Sequence, residues 1–172
     1  MGLLNNIYDL IFKPSKAYKY FDLKFNRSLF LQAIIFSFFA AILSSYFSIK
    51  ASLDILFDVL FSSILIFLVG FVFKLEKGDF FKLLAFIALA NFPLIFKVPL
   101  ELISNKIPFL GMLLSFSLSI WILNLTIIAI SIVCKISKMR AFLLLIIPII
   151  ILLLFLFIIF LQFLIPLFEF LV

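Results

Sequence analysis

Histidine is absent from the 172 residues of this chain. With it go Ser-His-Asp and Cys-His catalysis, imidazole metal ligation and imidazole pH switching. The single cysteine, Cys134, cannot close an internal disulfide or form a paired-thiolate metal site. Four glycines, Gly2, Gly70, Gly78 and Gly111, are too scattered to build a phosphate-cradling loop or a dinucleotide fingerprint. Charge is scarce as well: Asp, Glu, Lys and Arg make up 13% of the chain, where soluble domains carry about 25%. These absences argue against an enzyme and against any cofactor or metal site.

What the chain has in excess is apolar side chain, 67% of its residues against about 45–50% in soluble domains. A single domain of this length cannot hide that much apolar surface from water, so the surplus faces lipid. The expected class is an all-α integral membrane protein. The formal net charge is +6, but the basic residues are separated by long apolar runs and offer no face to nucleic acid. The positive excess suits anionic lipid headgroups and sets orientation. The expected partners are therefore the bilayer and, beyond it, other membrane proteins or further copies of the chain.

Residues 1–27 are mixed in character. Met1-Gly2 is not read as a myristoylation site, because Asn6 stands where Ser or Thr is wanted. Leu4, Ile7, Tyr8 and Ile11 share one helical face. Pro14 pushes Lys13 out of helical geometry and then fits the first turn of a second short helix. That second piece interleaves Lys16, Lys19, Lys24 and Arg27 with Tyr18, Tyr20, Phe21 and Phe25. Basic and aromatic residues in alternation suit the headgroup zone, which predicts an amphipathic surface helix with Lys16, Lys19, Tyr20 and Phe21 as its interaction surface. A plain positively charged flank of the first span is the alternative.

Five spans are expected over 28–172, at approximately 28–49, 55–73, 80–103, 107–134 and 141–168. Each rests on a charge-free run: Ser28–Ile49, Val59–Phe73, Leu83–Phe96, Ile107–Cys134 and Ala141–Phe168. A helix needs about 20 residues to cross the hydrocarbon. The third run reaches that length only by taking in Lys82 and Lys97, whose stems can snorkel, and a re-entrant third segment is the alternative. The last two runs lack a polar turn, so each reads as one tilted helix, the fifth kinked at Pro148. Of the 14 cationic residues, 11 fall before span one or in the 2–3 and 4–5 loops. Only Lys50, Lys97 and Lys106 fall on the other side. This asymmetry predicts a cytoplasmic-membrane protein with its N-terminus in the cytoplasm and its C-terminus outside.

Helices in lipid associate through small residues. Ser37, Ala41 and Ser45 in span one, and Gly111, Ser115 and Ser119 in span four, recur at steps of four and are the expected packing stripes. Among intramembrane polar residues, Asp58, Asn91 and Asn124 attract functional suspicion. Asp54 and Asp58 lie four apart on one face, as a cation or proton site would need. Placed at the outer start of span two, they also suit the positive end of its helix dipole. Asn91, just before Phe92-Pro93, is placed to tie a proline-disturbed backbone to a neighbouring helix. Cys134 beside Lys135 has the look of a juxtamembrane acylation site, though a bystander thiol explains it as well.

Three stretches together resemble a known family: Ile11-Phe12-Lys13-Pro14-Ser15-Lys16-Ala17-Tyr18 before the first span, Ala88-Leu89-Ala90-Asn91-Phe92-Pro93 in the third, and Arg140-Ala141-Phe142 entering the fifth. The chain resembles the Yip1-domain family in its short prokaryotic form. The resemblance implies five spans, a cytoplasmic N-terminus and, in eukaryotic members, trafficking roles through small GTPases and membrane-shaping partners. The Asp-Leu-X-Gly-Pro type motif of those members does not occur in this sequence, so GTPase binding is not carried over. Two functions follow as expectations: a non-enzymatic membrane scaffold or trafficking-type partner, and alternatively a small transporter or channel subunit working as an oligomer.

Overall fold

The computed structural model describes the backbone of residues 3–72 and 79–171 and the side chains of 8–72 and 79–162. Lys74 and Lys77 of the orientation count, with Gly2 and Gly78, lie outside the described residues. Two short helices come first, α1 (Leu3–Phe12) and α2 (Pro14–Leu23). Lys13 between them leaves helical geometry, with φ −137° and ψ 56°, as expected for the residue before a proline. Next come α3 (Arg27–Ser44), α4 (Ile49–Val72), α5 (Phe80–Ala90), a 3-10 turn (Phe92–Phe96), α6 (Lys97–Lys106), α7 (Pro108–Val133) and α8 (Lys138–Leu171). No strand occurs among the described residues. Five stretches are long and apolar enough to cross a membrane: Arg27–Ser44, Ile49–Val72, Phe80–Lys106, Pro108–Val133 and Lys138–Gln162.

The third of these is the centre of the bundle. Leu83 and every residue from Ala85 to Ala90 are buried, and α3, α4 and α7 all pack against α5. Its charge-free run is short because the helix is surrounded by protein rather than lipid. Ala85, Ala88 and Ala90 let the neighbours approach closely, and the neighbours answer with Ala33, Ser37 and Ala41 of α3, Ser63 and Gly70 of α4, and Ala129 of α7, all buried. Such small residues are how helices associate where lipid removes the hydrophobic drive. Helix starts are capped in the usual way: Asn26 Oδ1 accepts from the Leu29 amide at 2.8 Å and Asp79 Oδ1 from that of Phe81 at 2.9 Å.

Spans one and two meet earlier than the charge pattern suggests. α3 ends at Ser44 and α4 begins at Ile49, not near Ile55. Serine hydroxyls account for the shift: Ser44 Oγ donates to the Ala41 carbonyl and Ser45 Oγ to that of Ile42, while Ser45 and Ser52 hydroxyls lie 2.7 Å apart. These bonds offer the backbone an alternative to the helix. Tyr46 and Phe47 then take left-handed conformations, φ 53° and 63°, and the Phe47 amide returns to the Ile42 carbonyl at 3.0 Å. α7 closes with the same motif, Lys135 at φ 52° and the Ile136 amide on the Ser131 carbonyl. α8 runs as one helix through Pro148. Residues 149–158 of α8 are exposed on every side; Ile151, Leu154 and Phe157 are all more than half exposed, as lipid-facing residues are.

Candidate functional site

Two places collect the residues that composition singles out. The first is α2, which is docked onto the bundle and not merely laid on a surface. Tyr18 is fully buried, its hydroxyl donates to the Phe86 carbonyl at 3.2 Å, and its ring sits 5.2 Å from that of Phe86. Burial pushes the Tyr18 phenol pKa far above its ordinary value. Asp22 pairs with Lys82 of α5 at 2.8 Å. Phe21 is buried too, which corrects its expected place on the exposed interaction surface: at 3.6 residues per turn, Tyr18 and Phe21 share the inward face. Lys16, Lys19 and Lys24 are exposed and Tyr20 is half-buried, with Lys24 Nζ 4.7 Å from the Tyr20 ring centre. In α1 it is Leu10 that turns inward, while Tyr8 is exposed; the side chains of Leu4 and Ile7 lie outside the described residues.

The expected packing stripes divide. Ser37 and Ala41 are buried and Ser45 half-buried. Gly111 is buried in the α6–α7 hairpin, where a Cβ would overlap both the backbone and the side chain of Ser104. Ser115 and Ser119 are exposed and bond only along their own helix, Ser119 Oγ to the Ser115 carbonyl. Cys134 is buried, and that burial raises its thiol pKa, the opposite of what a reactive cysteine needs.

The second place is a cleft of about 440 Å³ between α4, the α5 end, α7 and α8. Asp58, Ser62, Asn91 and Thr126 line it, between apolar side chains that include Ile66, Ile87, Leu145 and Ile149. At about 1.5 Å per residue, Asp58 stands roughly 14 Å along α4 from Ile49 and Asn91 roughly 16 Å along α5 from Phe80. Asp58 is therefore beyond the reach of the α4 dipole, which acts within the first turn. An ionised Asp at a helix centre costs about 2.5–3.5 kcal/mol on insertion scales. Asp54, one turn away, does not line the cleft. Neither does Asn124, which is exposed on α7: it lies two residues, or about 200° of helix turn, from Thr126.

Asn91 Nδ2 donates to the Ile87 carbonyl at 3.0 Å, tying the break to its own helix instead of to a neighbour. Thr126 Oγ1 donates to the Ile122 carbonyl at 2.9 Å. Thr126 and Ser62 escape a reading from sequence because a lone hydroxyl in an apolar run bonds its own helix wherever it points. The one signal was the depth of Thr126 in a charge-free run.

A five-helix bundle with an alanine-lined central helix, a docked amphipathic entry and a polar break in span three defines a multi-pass α-helical membrane protein. The profile described as the Yip1 domain matches residues 8–160. The chain belongs to the Yip1 family. No curated protein and no solved structure matches it.

Proposed function

We propose that this Yip1-family chain is a non-enzymatic scaffold of the cytoplasmic membrane, N-terminus inside and C-terminus outside, whose working surface is the outward face of α2. The observation that carries this reading is the way α2 is held. Tyr18 and the Asp22–Lys82 pair fix one side to the bundle, and Lys16, Lys19 and Lys24 stand exposed on the other. A cationic row fixed in advance loses little freedom on meeting anionic headgroups or an acidic partner surface. Each lysine near such a surface contributes about 1 kcal/mol. The oligomeric transporter remains the second reading, and the polar cleft at Asp58 is what favours it.

Complementation of a deletion strain separates the two, with protein levels checked in isolated membranes. Lys16→Glu combined with Lys19→Glu should abolish function while the chain still inserts. Asp54→Asn combined with Asp58→Asn should leave it nearly intact. The reverse pattern would discard the scaffold in favour of transport.

A further inference from the structure

The groups lining the cleft have a shared chemical bias. The carbonyl of Ile87 obliges the Asn91 carboxamide to turn its NH₂ toward it, which leaves Oδ1 for the cleft. Thr126 spends its only proton on the Ile122 carbonyl and keeps lone pairs. Asp58 makes no ion pair or hydrogen bond among the described residues, and an ionised carboxylate only accepts. The wall at Asn91 is also the C-terminal, carbonyl end of α5, where the peptide dipoles are negative. Three elements of the fold, α4, the end of α5 and α7, thus present acceptors and negative potential to one cavity, and Ser62 is the lining residue whose hydroxyl is left to donate or accept among the described residues. No cluster of three or more His, Cys, Asp or Glu able to hold a metal ion occurs among the described residues, so the donor set is poor for a metal and rich for an N–H cation.

The rest of the wall is apolar, and the cavity lies within the usual range for small-ligand sites, about 300–1,000 Å³. Asp58 and Ile149 at its mouth are exposed, and both belong to stretches long and apolar enough to cross a membrane, which opens the cleft sideways to a ligand from the bilayer. We propose that this cleft binds a hydrophobic primary amine in its ammonium form, the –NH₃⁺ group on Asp58, Asn91 Oδ1 and Thr126 Oγ1 and the apolar body against Ile66, Ile87 and Leu145. An ammonium brings three donors to these acceptors and relieves the isolation of the Asp58 charge. This site is independent of the α2 surface.

The test is binding of radiolabelled dodecylamine at neutral pH to the whole chain in phosphatidylcholine nanodiscs, with empty nanodiscs as the blank. The expected result is saturable binding at one molecule per chain, displaced by unlabelled dodecylamine but not by dodecanol, dodecanoate or methylammonium. Asp58→Asn should weaken it at least tenfold and Asp54→Asn should not change it. Ser62→Phe, which fills the open side of the cleft without touching the charge, should weaken it as Asp58→Asn does. Uptake equal to that of empty discs, equal competition by dodecanol, or undiminished binding in Asp58→Asn would overturn the proposal. Competition by methylammonium at equal concentration would reduce the site to a plain cation site. Binding of a transmembrane peptide with one central lysine, with none of the amine alone, would replace the small ligand by a partner helix. Either result counts against the amine.

Discussion

Tyr18 is the largest fully buried side chain that docks α2, and its removal should be measurable in steps. Tyr18→Phe keeps the ring, its burial and its contact with Phe86, and deletes only the hydroxyl that donates to the Phe86 carbonyl. That carbonyl sits inside α5 and retains its helical bond, so the loss is one neutral hydrogen bond, about 1 kcal/mol. With 1.4 kcal/mol per factor of ten, the undocked fraction of α2 should rise about fivefold. Tyr18→Ala empties a fully buried aromatic site at about 3–5 kcal/mol, a factor of at least about 150. Hydrogen exchange of the α2 amides in nanodiscs reads these ratios, with the α7 amides around Ala129 as the internal reference. Alkaline pH supplies an independent arm. Undocked, the phenol ionises near its ordinary pKa of about 10; docked, burial holds it neutral well above that. The undocked state then binds fewer protons, so docking is unaffected below about pH 10 and weakens toward tenfold per pH unit above it. Spin-label mobility on α2, followed with pH in wild type and Tyr18→Phe, should differ by that dependence and lose it in the variant. Equal α2 exchange in wild type and Tyr18→Ala would refute the docking reasoning and return α2 to a freely lying surface helix.

Gly111→Ala should lower thermal stability by more than about 2 kcal/mol, because the new Cβ meets Ser104 backbone that cannot give way, whereas Ser115→Leu and Ser119→Leu, on an exposed face, should stay within about 0.5 kcal/mol of wild type; thermal unfolding in one detergent compares all three. Ser37 Oγ is buried with no hydrogen-bond partner among the described residues, so Ser37→Ala should raise stability by about 1 kcal/mol in the same assay, and a loss would mean that the hydroxyl has a partner.

The number of membrane-length helices was legible because lipid demands long charge-free runs, and this chain has few charges with which to interrupt them. Packing was less legible. The step-of-four rule cannot tell a stripe facing a helix from one facing lipid: Ser37, Ala41 and Gly111 are buried, whereas Ser115 and Ser119 are exposed. The central role of span three was hidden by the same logic: its shortness reads as weakness when lipid is the assumed neighbour, and as burial once protein surrounds it. Aromatic and basic alternation in α2 marks two faces but not which of its aromatics turns inward. Which aromatic faces the bundle depends on the Phe86 carbonyl and on Lys82, 60 or more residues away in sequence. The cleft draws its polar residues from three helices, with α8 completing its apolar wall. No local pattern joins Asp58, Asn91 and Thr126.

The scaffold reading needs the lysine face of α2 on the cytoplasmic side of a five-span chain, and single-cysteine labelling asks for that directly. In a Cys134→Ser background, Lys19→Cys, Ser137→Cys and Asn105→Cys place thiols at three exposed positions. With a membrane-impermeant maleimide, Asn105→Cys should label in intact cells, and Lys19→Cys and Ser137→Cys only after permeabilisation. Labelling of Lys19→Cys from outside, or of Asn105→Cys and Ser137→Cys from the same side, would contradict the account.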